Sequence, residues 1–241
     1  MKKRLKMKID KIKKQLFAHR GIHNNIDIPE NSIPAFKKAI SKNIPIELDI
    51  HILKDNTLVV FHDDNLKRMT KIDKNIRDYT YPELEKITLL NTKYKIPTLK
   101  EVLKLVDGKV LLLIELKNDH RVNTMCEELC KQLDNYKGEF IIQSFYPNII
   151  NWFKKNKPEY IRGLLIMKNY KNKFVRLLFK TNILINYCSP DFLSVSKKLL
   201  ETPRIKKIRS KGTPILTWTI KDKKEISKLK DEADSLISNT I

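Results

Sequence analysis

The sequence predicts an α/β protein of the TIM (β/α)8 barrel class, and three observations carry that reading. Short apolar runs alternate with longer amphipathic ones, eight short runs can be placed, and most of them are apolar throughout. Fully apolar strands separated by helices belong to a parallel sheet covered on both faces, and eight suit a closed barrel better than an open sheet. A chain of 241 residues with 41% hydrophobic content is long enough for one such barrel and can fill its core.

In chain order, the first strand is expected at Leu16–His19, then a helix at Pro29–Lys42 and the second strand at Ile46–Ile50. The third strand is Val110–Lys117, preceded by a helix at Leu99–Val106 and followed by one at Arg121–Tyr136. Strand Glu139–Ser144, helix Pro147–Asn156 and strand Ile161–Ile166 continue the alternation. Strand Phe192–Ser196, helix Lys197–Lys211, strand Pro214–Thr219, helix Asp222–Lys230 and strand Asp234–Ser238 complete it. About sixty residues separate Ile50 from Val110, more than one helix needs. They hold an extra strand-like run, Thr57–Phe61, and a polar excursion from Asp63 to Pro97, read as a small insertion on the loop side of the barrel.

The ends depart from an ideal barrel. The chain stops three residues after the last predicted strand, with no eighth helix. Residues 1–15 form a basic amphipathic segment ahead of a barrel domain at 16–241. Leu5, Ile9, Ile12 and Leu16 share one helical face, and residues 2–14 carry eight basic side chains against one acid, Asp10. This helix is expected to close the barrel bottom; its alternative role is peripheral contact with anionic lipid through residues 1–16.

The formal net charge is +21, from 49 Lys+Arg against 28 Asp+Glu. The lysines are spread along the whole chain rather than gathered in one tract, so the charge alone names no partner. Three cysteines are too few for a disulfide framework, which favours a reducing, cytoplasmic setting. Cys126 and Cys130 lie four apart on a predicted helix and read as a buried apolar pair, since no second Cys/His pair supports zinc. No apolar stretch of signal-peptide or membrane-spanning length is present.

Polar residues gather at the strand ends, where barrel active sites lie. The first strand ends in His19-Arg20-Gly21. The second carries Glu47 and Asp49, whose spacing of two puts both carboxylates on the face opposite Ile46, Leu48 and Ile50. The insertion strand ends in His62-Asp63-Asp64, where either acid would also suit a turn, and the third strand carries Glu115 and Lys117. Acids turned into a barrel need partners: a metal, Arg20 or Lys117. Three carboxylates favour a hard divalent ion, Mg²⁺ or Ca²⁺. With two cations to neutralise phosphate and two histidines as base and acid, the set suits cleavage of a P–O bond.

These residues also carry a family resemblance. His19-Arg20-Gly21, Pro29-Glu30-Asn31-Ser32 with Ala35-Phe36 and Ala39, Ile46-Glu47-Leu48-Asp49, Lys54-Asp55 and Val59-Val60-Phe61-His62-Asp63-Asp64 resemble the glycerophosphodiester phosphodiesterases. Further matches are Ile96-Pro97-Thr98-Leu99, Glu101-Val102-Leu103, Ile114-Glu115-Leu116-Lys117, Gln143-Ser144-Phe145 and Trp218-Thr219, so the likeness runs from about residue 16 to the C-terminus. The resemblance implies a TIM barrel that hydrolyses glycerophosphodiesters to sn-glycerol 3-phosphate and an alcohol. It implies His19 and His62 as the catalytic pair and Glu47, Asp49 and Glu115 as metal ligands. Arg20 and Lys117 would contact phosphate, Glu30 and Asn31 would support the site, and Phe145 and Trp218 would form an apolar wall beside the glycerol. One block departs from the family: where relatives carry a Gly-Val-Asp…Thr-Asp pattern, this chain has Glu232-Ala233-Asp234 and Ile237-Ser238-Asn239.

Two other readings compete. One is a lysophospholipase D-like activity with residues 1–16 on the membrane. The other is a catalytically retired basic barrel that binds membrane or nucleic acid; it requires a broken catalytic set, and no aromatic-interleaved basic motif supports RNA binding.

Overall fold

The computed structural model describes residues 10, 12–167 and 181–241. The basic segment expected at 1–15 therefore lies mostly outside the described residues, and so does most of the stretch 1–16 read as an alternative lipid contact. The chain divides into two compact units, residues 18–140 and residues 141–241 with the chain up to Phe17. The fold is a TIM (β/α)8 barrel, with helices between parallel strands as the alternation predicts.

In the first unit, β1 (Leu16–His19) pairs in parallel with β2 (Ile46–Ile52), and β2 pairs in parallel with β4 (Leu112–Leu116). Helix α1 (Ile33–Ser41) connects β1 to β2 and buries Ala35, Phe36 and Ala39. Strand β3 (Leu58–Val60) runs antiparallel to β2. After it come two short helices, α2 (Lys67–Thr70) and α3 (Tyr81–Leu84), with a 3-10 turn at Ile76–Asp78 between them. This polar-looking stretch has its own buried core, in which Leu53, Phe61, Leu66, Met69 and Ile76 pack together. Its apolar residues are too irregularly spaced to display a period. Helix α4 (Leu99–Val106) begins where expected because Thr98 and Glu101 form a reciprocal capping box, and Leu99, Val102, Leu103 and Val106 place its apolar stripe inward. Helix α5 (Val122–Leu133) buries Cys126 and Cys130 as an apolar pair.

The second unit holds β5 (Phe140–Ser144), β6 (Arg162–Ile166), β7 (Phe192–Ser196), β8 (Ile215–Ile220) and β9 (Ser235–Ser238). From β5 to β9 each pairs in parallel with the next. Leu164, Ile166, Leu193, Val195 and Ile215 pack with residues of the outer helices, including Ile150 of α6 (Pro147–Asn156) and, from the helices beyond β7, Leu200 and Ile205. A six-residue helix, α7 (Ile183–Cys188), precedes β7 and has no counterpart in the sequence reading. The helix expected at Lys197–Lys211 is two: α8 (Lys197–Leu200) and α9 (Pro203–Ser210), because Pro203 cannot continue a helix but opens one. Helix α10 (Lys223–Leu229) starts at Asp222, which caps it through Glu225 N–H. Leu16, read both as the last residue of the N-terminal helix face and as the head of the first strand, opens β1 as the strand reading expects, after a turn at residues 12–14. Among the described residues no helix is long and apolar enough to cross a membrane.

Candidate active site

The first unit gathers the charged residues. At the end of β1, Arg20 and Gly21 both adopt positive φ, +58° and +78°. A Cβ at position 21 would lie 2.9 Å from the backbone carbon and Cβ of Ala35, so only glycine fits this turn. The turn aims the Arg20 backbone N–H at Glu47 Oε2, 3.1 Å away. The Arg20 guanidinium donates to Glu30 Oε1 at 2.6 Å and lies 3.4 Å from Asp49 Oδ2.

Strand phase and register then place the acids. Glu47 and Asp49 sit on one face of β2, and Asp49 is the ladder partner of Glu115 on β4, as His19 is of Glu47. In-register residues of parallel neighbours point to the same side. Ligand oxygens of Glu47, Asp49 and Glu115 all lie within 4.8 Å of one another, and all three residues are buried. His19 Nε2 is 4.0 Å from Glu47 Oε2. Lys117, one residue past β4, is 2.6 Å from Asp49 Oδ1 and also donates to Glu115. Asn31 donates to Asp49 Oδ2 at 2.8 Å.

The three acids differ in electrostatic situation. Burial raises the Glu47 carboxyl, and the charges of Asp49 and Glu115 raise it further, well above the ordinary range. Burial also lifts Glu115, only partly opposed by Lys117. Asp49 is equally buried, but Lys117, His62 and Arg20 outweigh that and hold it well below the ordinary carboxylate range. For Glu47 the opposing charges of Arg20 and Lys117 do not outweigh burial and its two acidic neighbours. A hard divalent cation fits this donor set: three close carboxylate oxygens, buried, with surplus negative charge.

His62 follows β3 in sequence, and its Nδ1 meets Asp63 Oδ1 at 2.5 Å. Asp64 pairs instead with Arg77. Two residues of this region were not singled out from sequence. His51 continues the Glu47–Asp49 face of β2, and its Nε2 meets the His62 carbonyl at 3.2 Å. Burial lowers its ring to about 4, so it stands neutral. Arg68 of α2 donates to Asp63 Oδ2 at 2.6 Å and grips both oxygens of Glu30 at 2.6 and 3.0 Å. Burial alone would raise Glu30, but Arg68 and Arg20 bring it down to about 2. The spacing of two after Asp49 could have flagged His51; Arg68 lies in the insertion, where no periodicity marks it.

Phe145 and Trp218 belong to the second unit, where their rings meet edge to face with centroids 5.5 Å apart. The altered C-terminal block is structural in part: Asp234 accepts from Ile215 N–H and pairs with Arg209.

Buried carboxylates with paired cations and two histidines, carried on strand ends of a (β/α)8 scaffold, define the class of barrel phosphodiesterases. The chain belongs to the glycerophosphoryl diester phosphodiesterase family, whose profile matches residues 19–241. It is 30% identical over 240 residues to a glycerophosphodiester phosphodiesterase of Caldanaerobacter subterraneus subsp. tengcongensis, covering 95% of each chain. Among solved structures it resembles the glycerophosphodiester phosphodiesterase of Thermotoga maritima, with TM-score 0.74, 28% identity and 93% of each chain covered. It also shares its fold with an Oleispira antarctica phosphodiesterase solved with sn-glycerol-3-phosphate, at TM-score 0.80 and 22% identity, covering 93% of this chain and 92% of that one.

Proposed function

We propose that this chain hydrolyses glycerophosphodiesters to sn-glycerol 3-phosphate and an alcohol. In this reading His19 and His62 move the protons, while Glu47, Asp49 and Glu115 hold one divalent cation, Mg²⁺ or Ca²⁺. The observation that carries it is the buried triple-carboxylate cluster with His19 4.0 Å from Glu47, in a chain of this family.

When bound, the cation supplies positive charge that offsets the buildup of negative charge on the phosphoryl oxygens. Arg20 and Lys117 add fixed positive charge for the phosphate, and Glu30 and Asn31 keep Arg20 and Asp49 in place. One histidine takes the proton of the substrate's own glycerol hydroxyl as its oxygen bonds to phosphorus. The other donates a proton to the departing alkoxide as the P–O bond to the alcohol breaks. Water then opens the cyclic phosphate with the proton roles exchanged. With Nδ1 of His62 held by Asp63, Nε2 is its exchanging atom. No protein nucleophile is needed. Phe145 and Trp218 would wall the glycerol on its apolar side.

The test is ³¹P NMR of glycerophosphocholine incubated with the protein and Mg²⁺ or Ca²⁺. The reading expects sn-glycerol 3-phosphate with choline. Phosphocholine as the product, or no turnover with either ion, would refute it.

A further inference from the structure

The first unit contains an unbroken line of side chains from His62 to the acid cluster, and its middle member comes from the insertion. His62 Nδ1 meets Asp63 Oδ1 at 2.5 Å, and Asp63 Oδ2 accepts from Arg68 Nε at 2.6 Å. Arg68 then grips Glu30 through two parallel donors, and Glu30 accepts from Arg20, which lies 3.4 Å from Asp49. No other side chain described here bridges Asp63 to Glu30. The fork of a guanidinium, with donors diverging in one plane, can hold two carboxylates at once; an ammonium cannot reproduce that geometry.

We infer that Arg68 is a positioning residue for the reaction: by holding Asp63 and Glu30 together, it fixes the His62 imidazole and the Arg20 guanidinium in one mutual geometry. This inference rests on the phosphodiesterase reading for its catalytic consequence, though not for its structural one. Asp63 alone could orient the imidazole only as well as Asp63 is itself held, and Asp63 is on a loop after β3. Arg68 supplies that hold. The same guanidinium anchors Glu30, whose other donors are Arg20 and Asn25. The insertion thereby acts on the chemistry without touching substrate. Such an arrangement explains why α2, a helix of only four residues, is tied down by Met69 in the core of the insertion.

The Arg68 side chain is 45% exposed, so an added guanidinium ion can enter the space left by its removal. In full-length protein, Arg68→Ala is expected to lower kcat on glycerophosphocholine by about 10²-fold, the cost of a misplaced catalytic group. Millimolar guanidinium should recover part of that loss, and Arg68→Lys should fall between. The effects of Arg68→Ala and Asp63→Asn should overlap rather than multiply. Lys67→Ala, on the same helix with an exposed partner in Asp73, should leave kcat unchanged. Long-range ¹H–¹⁵N NMR of the His62 ring reads the same proposal without turnover: Nδ1–H in wild type, and a tautomer mixture in Arg68→Ala. Arg68→Ala with wild-type His62 NMR overturns the proposal whether or not the protein is active. So does a kcat within about threefold of wild type, or a loss that guanidinium leaves untouched and that multiplies with Asp63→Asn. Wild-type protein that releases no glycerol 3-phosphate would instead refute the phosphodiesterase reading, and the NMR outcome would still decide the role of Arg68.

Discussion

Strand β2 of the first unit and strand β7 of the second are built alike and used differently. Each has one apolar face: Ile46, Leu48 and Ile50 on β2, Leu193 and Val195 on β7. The opposite face of β2 carries Glu47, Asp49 and His51, whereas that of β7 carries Phe192, Ser194 and Ser196. Glu47, Asp49 and Ser194 are almost wholly buried. Burying a carboxylate costs several kcal/mol even after relaxation, while an unmatched hydroxyl costs about 1–3 kcal/mol. Packing alone does not call for the β2 arrangement, since β7 shows that neutral residues fill the same kind of position. The difference is what the chemistry proposed for β2 would account for.

The comparison breaks most visibly at Glu47. Glu47→Gln should lower activity by about 10³-fold or more by removing a proposed metal ligand. Yet it should raise the melting temperature of the metal-free protein, because it relieves repulsion from Asp49 and Glu115. Thermal melts beside activity assays test both halves; a lower melting temperature would mean the cluster is stabilising as it stands. In the second unit, Trp218→Ala and Phe145→Ala should act on KM rather than kcat, by about tenfold each, as expected for a lost apolar wall. A loss confined to kcat would move these rings into the chemistry.

The pH dependence of stability sharpens the contrast within the first unit. Glu47 has a raised pKa in the fold, so its contribution is complete below its ordinary value of 4.5 and is lost as pH rises through the raised one. Glu30 has the opposite sign: its contribution is present above 4.5 and lost as pH falls toward about 2. For Glu30 the span amounts to about 3 kcal/mol. Metal-free protein should therefore be most stable in weak acid, and a divalent cation should restore stability on the neutral side. The smallest effect is expected on β7. Ser194→Ala removes a hydroxyl with no hydrogen-bond partner among the described residues and should change stability by less than about 1 kcal/mol and activity not at all.

Period and phase made much of this legible from sequence. α4, α6 and β7 fall within their expected bounds because caps, proline or an uninterrupted apolar run define their ends. The shared face of Glu47 and Asp49 follows from a spacing of two, and the ladder adds Glu115 beside Asp49. What stayed hidden depends on contacts between segments distant in sequence. Arg68 is an ordinary basic residue in an aperiodic stretch until the fold brings it to Glu30, 38 residues earlier. The break between α8 and α9 lies at Pro203, which the helix-like pattern on either side of it masks. His51 is a histidine among isoleucines, a pattern that a buried structural residue also produces, and it is buried.

In the proposed function the charged face around β2 cleaves phosphodiesters through two histidines and a cation-holding acid cluster. The most direct measurement is release of sn-glycerol 3-phosphate from glycerophosphocholine by wild type and by the His19→Ala/His62→Ala double variant, each with EDTA and with Mg²⁺ or Ca²⁺ restored. The expected result is activity in wild type that EDTA abolishes and a divalent ion restores, and at least about 10³-fold less in the double variant under every condition. Equal rates in the two proteins, or wild-type activity indifferent to EDTA, would contradict it.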